Sequence, residues 1–295
     1  MNAADIATAL GAKRTRGIFT AQCPACGYKA ALTLTEKDGR TLLHCHVGCA
    51  GDAVIDELRD RGLWGGSRTS DWHPRPAKAA DPDEAEARRQ AALKLWQASV
   101  PSTGTVVDAY FKGRGITIAI PPTIRYLAGA LHSPTGLRLP AMVAAVTHWP
   151  SREVCAIHRT FLMMDGRAKA QVSNPKMTLG PIGGGAVRLS PAGPVLGVAE
   201  GIETALSAMQ ATGVPVWAAI SAGVVEALRL PDPPLATEVV IFADHDPVGR
   251  RAAETAAERW HAQARKVRIC LPPRPDTDFN DLLRAENALE ISNVR

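Results

Sequence analysis

With 295 residues, 46% hydrophobic and 21% charged, the chain has apolar material for a sizeable core and length for more than one domain. No apolar stretch approaches the roughly 18 residues that span a bilayer, and the start, MNAADIATALGAKR, lacks a signal-peptide layout; a cytoplasmic protein is expected. The net charge of +5 hides a division: residues 65–190 carry 16 basic and 8 acidic side chains, whereas residues 191–295 carry 10 and 14. A basic region beside an acidic one suits a polyanion-binding surface next to a carboxylate cluster.

Four of the six cysteines fall within 27 residues, in "CPACGYKAALTLTEKDGRTLLHCHVGC". In a reducing compartment, two cysteine pairs at this separation predict a tetrahedral zinc held by Cys23, Cys26, Cys45 and Cys49. His46 with Cys49 restores a two-residue spacing and is an alternative to Cys45. "AALTL" and "TLLHC" flank Asp38-Gly39, a hairpin signal, so residues 1–64 read as a zinc-ribbon domain ending in the helix "GDAVIDELRDRGLW". Cys155 and Cys270 lie in apolar, strand-like runs and are expected to be inert core thiols.

"GGSRTSDWHPRPAKAADPD" has no apolar period, which predicts a linker over 65–82. A helix is expected over 82–99 and a short one over "VVDAYFKGRG". Strands follow in "LPAMVAAVTHW" and "VCAIHRTFLMMDGRAKAQV", with a turn at Asp165-Gly166, making 83–190 a basic α+β region. Arg159, Lys169 and Lys176 are its candidate nucleic-acid or nucleotide contacts, with His158 and Arg167 beside them; a solvated sheet face is the plainer alternative. "GPIGGGAV" lacks the Gly-Lys-Ser/Thr of a phosphate loop.

From 191 to 295 apolar strands alternate with helices, which predicts a parallel sheet covered by helices, with its chemistry at the strand C-termini. "PVLGVAEG" ends in Glu200, and "TEVVIFADHD" ends in Asp244 and Asp246. Two aspartates at i and i+2 share a face and repel, so either a cation compensates them or the turn is solvated and Asp246 caps the next helix.

A strand ending in Glu-Gly, followed 44 residues later by a strand ending in Asp-x-Asp, resembles the Toprim domain shared by bacterial-type primases, topoisomerases and some nucleases. "VAEGIETALSA", "WAAISAG", "VVIFADHDPVGRRAA" and "DFNDLL", preceded by the cysteine-rich module, are similar to phage- and plasmid-type Toprim DNA primases without a fused helicase. The middle is similar only to a less specific segment, around "YFKGRGI" and "IHRTFLMMDG". The resemblance implies a nucleotidyltransferase that makes short RNA primers on single-stranded DNA from nucleoside triphosphates. It implies magnesium or manganese held by Asp244 and Asp246, with Glu200 close to the reacting phosphate. A separate replicative helicase is a partner it allows, and no membrane is implied. In "DTDFNDLL", Asp278 or Asp281 is either a further ligand or the cap of the last helix. The alternatives are a Toprim nuclease or nicking enzyme, and a non-catalytic nucleic-acid-binding accessory. Tyr28, Tyr110 and Tyr126 lie in contexts that do not suggest a topoisomerase nucleophile.

Overall fold

The computed structural model describes residues 2–15, 17–25, 27, 30–37, 39–45, 49, 51–64 and 82–293. The chain forms two compact units, residues 1–79 and 80–295. Among the described residues no helix is long and apolar enough to cross a membrane. The expected linker, apart from its last residue, and Cys26 and His46 lie outside the described residues.

The first unit opens with α1 (Ala3–Ala9), started by a capping box in which Asn2 and Asp5 satisfy each other's backbone N–H groups. Four antiparallel strands follow in sheet order: β1 (Lys13–Thr15), β2 (Ile18–Ala21), β3 (Leu32–Lys37) and β4 (Arg40–Cys45). Gly39, at φ +70°, turns β3 into β4 so that Lys37 faces Arg40 across the ladder. Helix α2 (Gly51–Asp60) contributes Val54 and Leu58 to a small core with Ile6, Leu32 and Leu34.

The second unit begins with α3 (Pro82–Ala98), a two-residue strand β5 (Val100–Pro101) and α4 (Val106–Gly113), whose N-terminus Thr105 caps. The long strand β7 (Leu137–His148) is the hub of the middle region. It pairs antiparallel with β6 (Ile124–His132), with β8 (Val154–Phe161) and, at Thr147 and His148, with β10 (Gly185–Arg188). β9 (Lys176–Leu179) extends the sheet beyond β8. Through β10 the same sheet runs into the C-terminal part, in the order β10, β12 (Val216–Ala218), β11 (Val195–Ala199), β13 (Glu238–Phe242), β14 (Lys266–Cys270). The last four strands are mutually parallel, as their apolar text required; β10 joins them antiparallel and makes the whole sheet mixed.

Side-chain alternation assigns the two faces of the parallel part. Val240 and Phe242 face α4, α5 (Ile202–Thr212) and α8 (Phe279–Asn293), whereas Val239 and Ile241 pack with α6 (Ala222–Ala227) and α7 (Pro247–Ala262). Ala199, Phe242 and Cys270 stand in register on β11, β13 and β14. The residues that follow those three strands therefore emerge at one edge of the sheet.

Candidate metal and phosphate site

Glu200 leaves β11, Asp244 and Asp246 leave β13, and Asp278 lies beyond β14, so three neighbouring strand ends deliver four carboxylates to one edge. Burial pushes the Glu200 carboxyl up to about 8, with Asp244 and Asp246 adding to the shift and Lys176 opposing it. Asp244 is pushed up to about 7 by burial, then by Asp278 and Asp246, against Lys176 and a long 3.5 Å contact from the Thr204 hydroxyl. The mutual repulsion of these acids calls for a counter-charge beyond Lys176, and an all-oxygen donor set fits magnesium or manganese.

Asp246 caps α7: its Oδ1 accepts from Val248 N at 2.9 Å and Gly249 N at 2.7 Å. Capping and metal ligation are thus compatible, because the second carboxylate oxygen makes neither bond. Gly249 is required by packing, since a Cβ there would lie 2.6 Å from the Asp244 carbonyl oxygen. Gly201 has an ordinary φ of −87°, so the turn after Glu200 does not depend on glycine's conformational freedom. Asp278 caps α8 through Asn280 N and Asp281 N, while Asp281 reaches back to Asp278 N. Asp278 thus caps α8 while its charge acts on Asp244, and Asp281 completes the cap.

Lys176 acts on Glu200 and Asp244 at this site, Lys169 pairs with Glu203 beside it, and Arg159 lies on the other face. Across β8 and β9, His158 stands opposite Thr178 and Thr160 opposite Lys176, which puts these side chains on one face. Arg159 has the opposite parity. It is buried on the face that packs with α3, its guanidinium near the Phe161 ring and 3.4 Å from the Leu131 carbonyl oxygen. His158 is buried behind the lysines, and that burial holds its imidazole down to about 3 and so neutral. Arg167 is exposed and pairs with Asp165 at 3.6 Å.

One carboxylate at the site carries no signal in spacing alone. Glu203, in the first turn of α5, is 4% exposed; its Oε1 accepts from the Tyr110 hydroxyl at 2.7 Å and faces Lys169 Nζ at 3.1 Å. Its Oε2 faces Lys176 Nζ at 3.9 Å. Burial alone would raise its pKa, yet the two ammoniums and the tyrosine outweigh burial and hold Glu203 well below the usual carboxylate range. Asn280 ties the same region together. It accepts from Arg114 Nη1 at 3.0 Å and donates to the Arg114 carbonyl and the Ser207 hydroxyl, and Arg114 lies over the Tyr110 ring.

In the first unit the Sγ atoms of Cys23, Cys45 and Cys49 lie within 4.8 Å of one another. Cys23 and Cys45 are buried, and Gly27 N bonds back to the Cys23 carbonyl in a tight turn. Three converging thiols are a soft donor set that fits zinc. Cys155 is buried in the second unit, where burial pushes its thiol pKa up, and Cys270 is half-buried in β14.

Residues 195–288 match the Toprim domain family, and residues 86–189 match a domain of unknown function (DUF7146). The C-terminal part of the second unit is a Toprim domain. The comparison with curated proteins finds no match. Among solved structures, the chain is similar to the zinc-binding and RNA polymerase domains of the Aquifex aeolicus primase, at 12% identity over 98% of this chain and 82% of that one, with a TM-score of 0.45. It is also similar to the primase fragment of the bacteriophage T7 primase-helicase protein, at 16% identity over 90% and 94%, TM-score 0.40. The E. coli primase catalytic core aligns at 15% identity over 70% and 78%, TM-score 0.44.

Proposed function

We propose that the chain is a DNA primase, a nucleotidyltransferase that joins nucleoside triphosphates into short RNA primers on a single-stranded DNA template. The observation that carries this reading is the delivery of Glu200, Asp244, Asp246 and Asp278 to one edge of the Toprim sheet, with Lys176 acting on Glu200 and Asp244. The thiol cluster on the same chain supports it, because the order zinc ribbon then Toprim domain is the order found in the primases the sequence resembles.

Glu200, Asp244 and Asp246 would hold magnesium or manganese, with Asp278 beside Asp244. When bound, a divalent cation supplies positive charge to the attacking and leaving oxygens of a phosphoryl transfer. Lys169 and Lys176, paired with Glu203 beside these acids, would offer positive charge to the nucleotide phosphates. Beside Asp246 an open groove of about 490 Å³, lined by His245, Pro247, Arg250, Arg251 and Glu254, leaves room for a polyphosphate chain. Cys23, Cys26, Cys45 and Cys49 would hold the zinc of a template-reading module.

The test is incubation of the protein with single-stranded templates, labelled nucleoside triphosphates and magnesium. Short template-dependent products are expected. Shortened template without synthesis would replace the primase reading with that of a Toprim nuclease.

A further inference from the structure

His245, between Asp244 and Asp246, ties two segments of chain into the walls of one groove. Its ring Nδ1 donates to the Pro272 carbonyl oxygen at 2.7 Å. Its backbone N–H donates to the Thr277 carbonyl at 3.0 Å, and its own carbonyl accepts from Asp276 N at 2.8 Å. Residues 272–277 are thereby fastened beside the start of α7. Pro275 and Asp276 from that segment, with Arg250, Arg251 and Glu254 from the helix, line an open groove of about 490 Å³ that begins at Asp246. A site of this size, held by its own hydrogen bonds, is formed before a ligand enters.

The groove carries charge that the fold does not use. Arg250 and Arg251 are exposed, and neither guanidinium has a hydrogen bond or ion pair among the described residues. Further along the same helix, the Arg259 guanidinium is bound to the Leu228 carbonyl oxygen at 2.8 Å. The backbone N–H groups of Val248, Gly249 and Arg250 are taken by Asp246, so an anion here would be held by side chains and not by the helix terminus. Two guanidiniums share the walls with three acids, Asp246, Glu254 and Asp276. The groove therefore has no surplus positive charge of its own, and an anion needs the divalent cation at Asp246 as well as the arginines.

We propose that this groove holds the diphosphate end of the incoming nucleoside triphosphate, and then the pyrophosphate it becomes, with Arg250 and Arg251 donating to the phosphate oxygens. In primer extension the terminal hydroxyl oxygen of the primer forms a bond to the α-phosphorus. The bond from that phosphorus to the α–β bridging oxygen breaks, its electron pair leaves with pyrophosphate, and the hydroxyl proton passes to water. Guanidinium groups match phosphate oxygens in paired hydrogen bonds. Two of them from adjacent residues suit two adjacent phosphoryl groups better than the spaced phosphates of a strand. The proposal deepens, and rests on, the reading of the chain as a nucleotidyltransferase with its cation at this carboxylate edge.

The test is calorimetric titration of the zinc-loaded full chain with inorganic pyrophosphate, with and without magnesium, beside an assay of primer synthesis. The wild type should bind pyrophosphate only when magnesium is present. Arg250→Gln and Arg251→Gln should each weaken that binding about tenfold, the worth of one hydrogen bond to a charged group, and the double variant should weaken it further. Their melting temperatures should stay near that of the wild type, since both side chains are exposed. Lys169→Met is the reference for phosphate held by the lysine pair instead. Unchanged pyrophosphate binding by the double variant, or a loss that follows Lys169→Met alone, overturns the proposal and leaves the nucleotidyltransferase reading standing. The same holds if a wild type that makes primers binds no pyrophosphate, or if the double variant loses affinity for a single-stranded oligonucleotide and not for pyrophosphate. A wild type that neither makes primers nor binds pyrophosphate overturns both.

Discussion

The two units gather their candidate metal ligands in different ways. In the first, Cys23, Cys45 and Cys49 come together because one hairpin, β3–β4, folds a short stretch of chain back on itself. In the second, the acids at 200, 244, 246 and 278 and the lysines at 169 and 176 meet only when a mixed sheet of ten strands has formed. The small core around Leu32, Leu34 and Leu58 gives the first unit little stability of its own, whereas two apolar clusters flank the sheet edge that carries the acids. On the proposed reading, zinc completes the fold in one unit, whereas in the other the fold alone gathers the acids.

The largest effect that would break this comparison is loss of zinc. Cys23→Ser should release the ion and unfold residues 2–64, because a structural zinc supplies on the order of 10 kcal/mol to so small a module. Amide hydrogen exchange should show protection lost there and kept across β7, β11 and β13; protection retained in both units without zinc would contradict it.

A smaller effect is expected from a polar tie inside the second unit. Asn280→Ala deletes the bonds to Arg114 and Ser207 and leaves their partners buried, which should lower stability by about 2–3 kcal/mol in denaturant titrations. Zinc content should not change.

The gentlest effect, taken per pH unit, is a slope in stability, and it sharpens the contrast between Glu200 and Glu203. Glu200 and Asp244 are raised to about 8 and about 7 from ordinary values of 4.5 and 3.8, so the folded metal-free protein keeps protons that the unfolded chain releases. Stability should therefore fall as pH rises from about 4 toward 8, by up to about 1 kcal/mol per pH unit for each group. Glu203 is depressed, so its contribution is present above the ordinary carboxylate pKa and is lost as pH falls below it. Thermal melting across this range, with and without magnesium, should show an upper limb that the cation flattens.

How much of this was legible in the sequence follows from the range of the contacts. Cysteine spacing and the Asp-Gly turn disclosed the ribbon, and strand-helix alternation disclosed the parallel sheet and placed Glu200, Asp244 and Asp246 at the C-terminal ends of its strands. Tyr110 and Glu203 are 93 residues apart and Arg114 and Asn280 are 166 apart, and no local pattern links such pairs. Arg159 carried a signal that could have been used. It shares strand parity with Ile157 and Phe161, which marks the apolar face under α3, whereas His158 and Thr160 mark the face turned toward Lys176. Asp246 could not be divided between cap and ligand from sequence, because the structure leaves it free to be both.

The most direct test of the central claim compares primer synthesis and thermal melting for the wild type, Glu200→Gln and Asp246→Asn, with and without magnesium. Asparagine preserves the cap that Oδ1 makes to Val248 and Gly249, so the melting temperature of Asp246→Asn should stay near that of the wild type. Synthesis by either variant should fall about a hundredfold or more, as expected when charge stabilisation of a phosphoryl transfer is removed. Near-normal primer synthesis by both variants would contradict the account and leave this carboxylate edge as a set of helix caps.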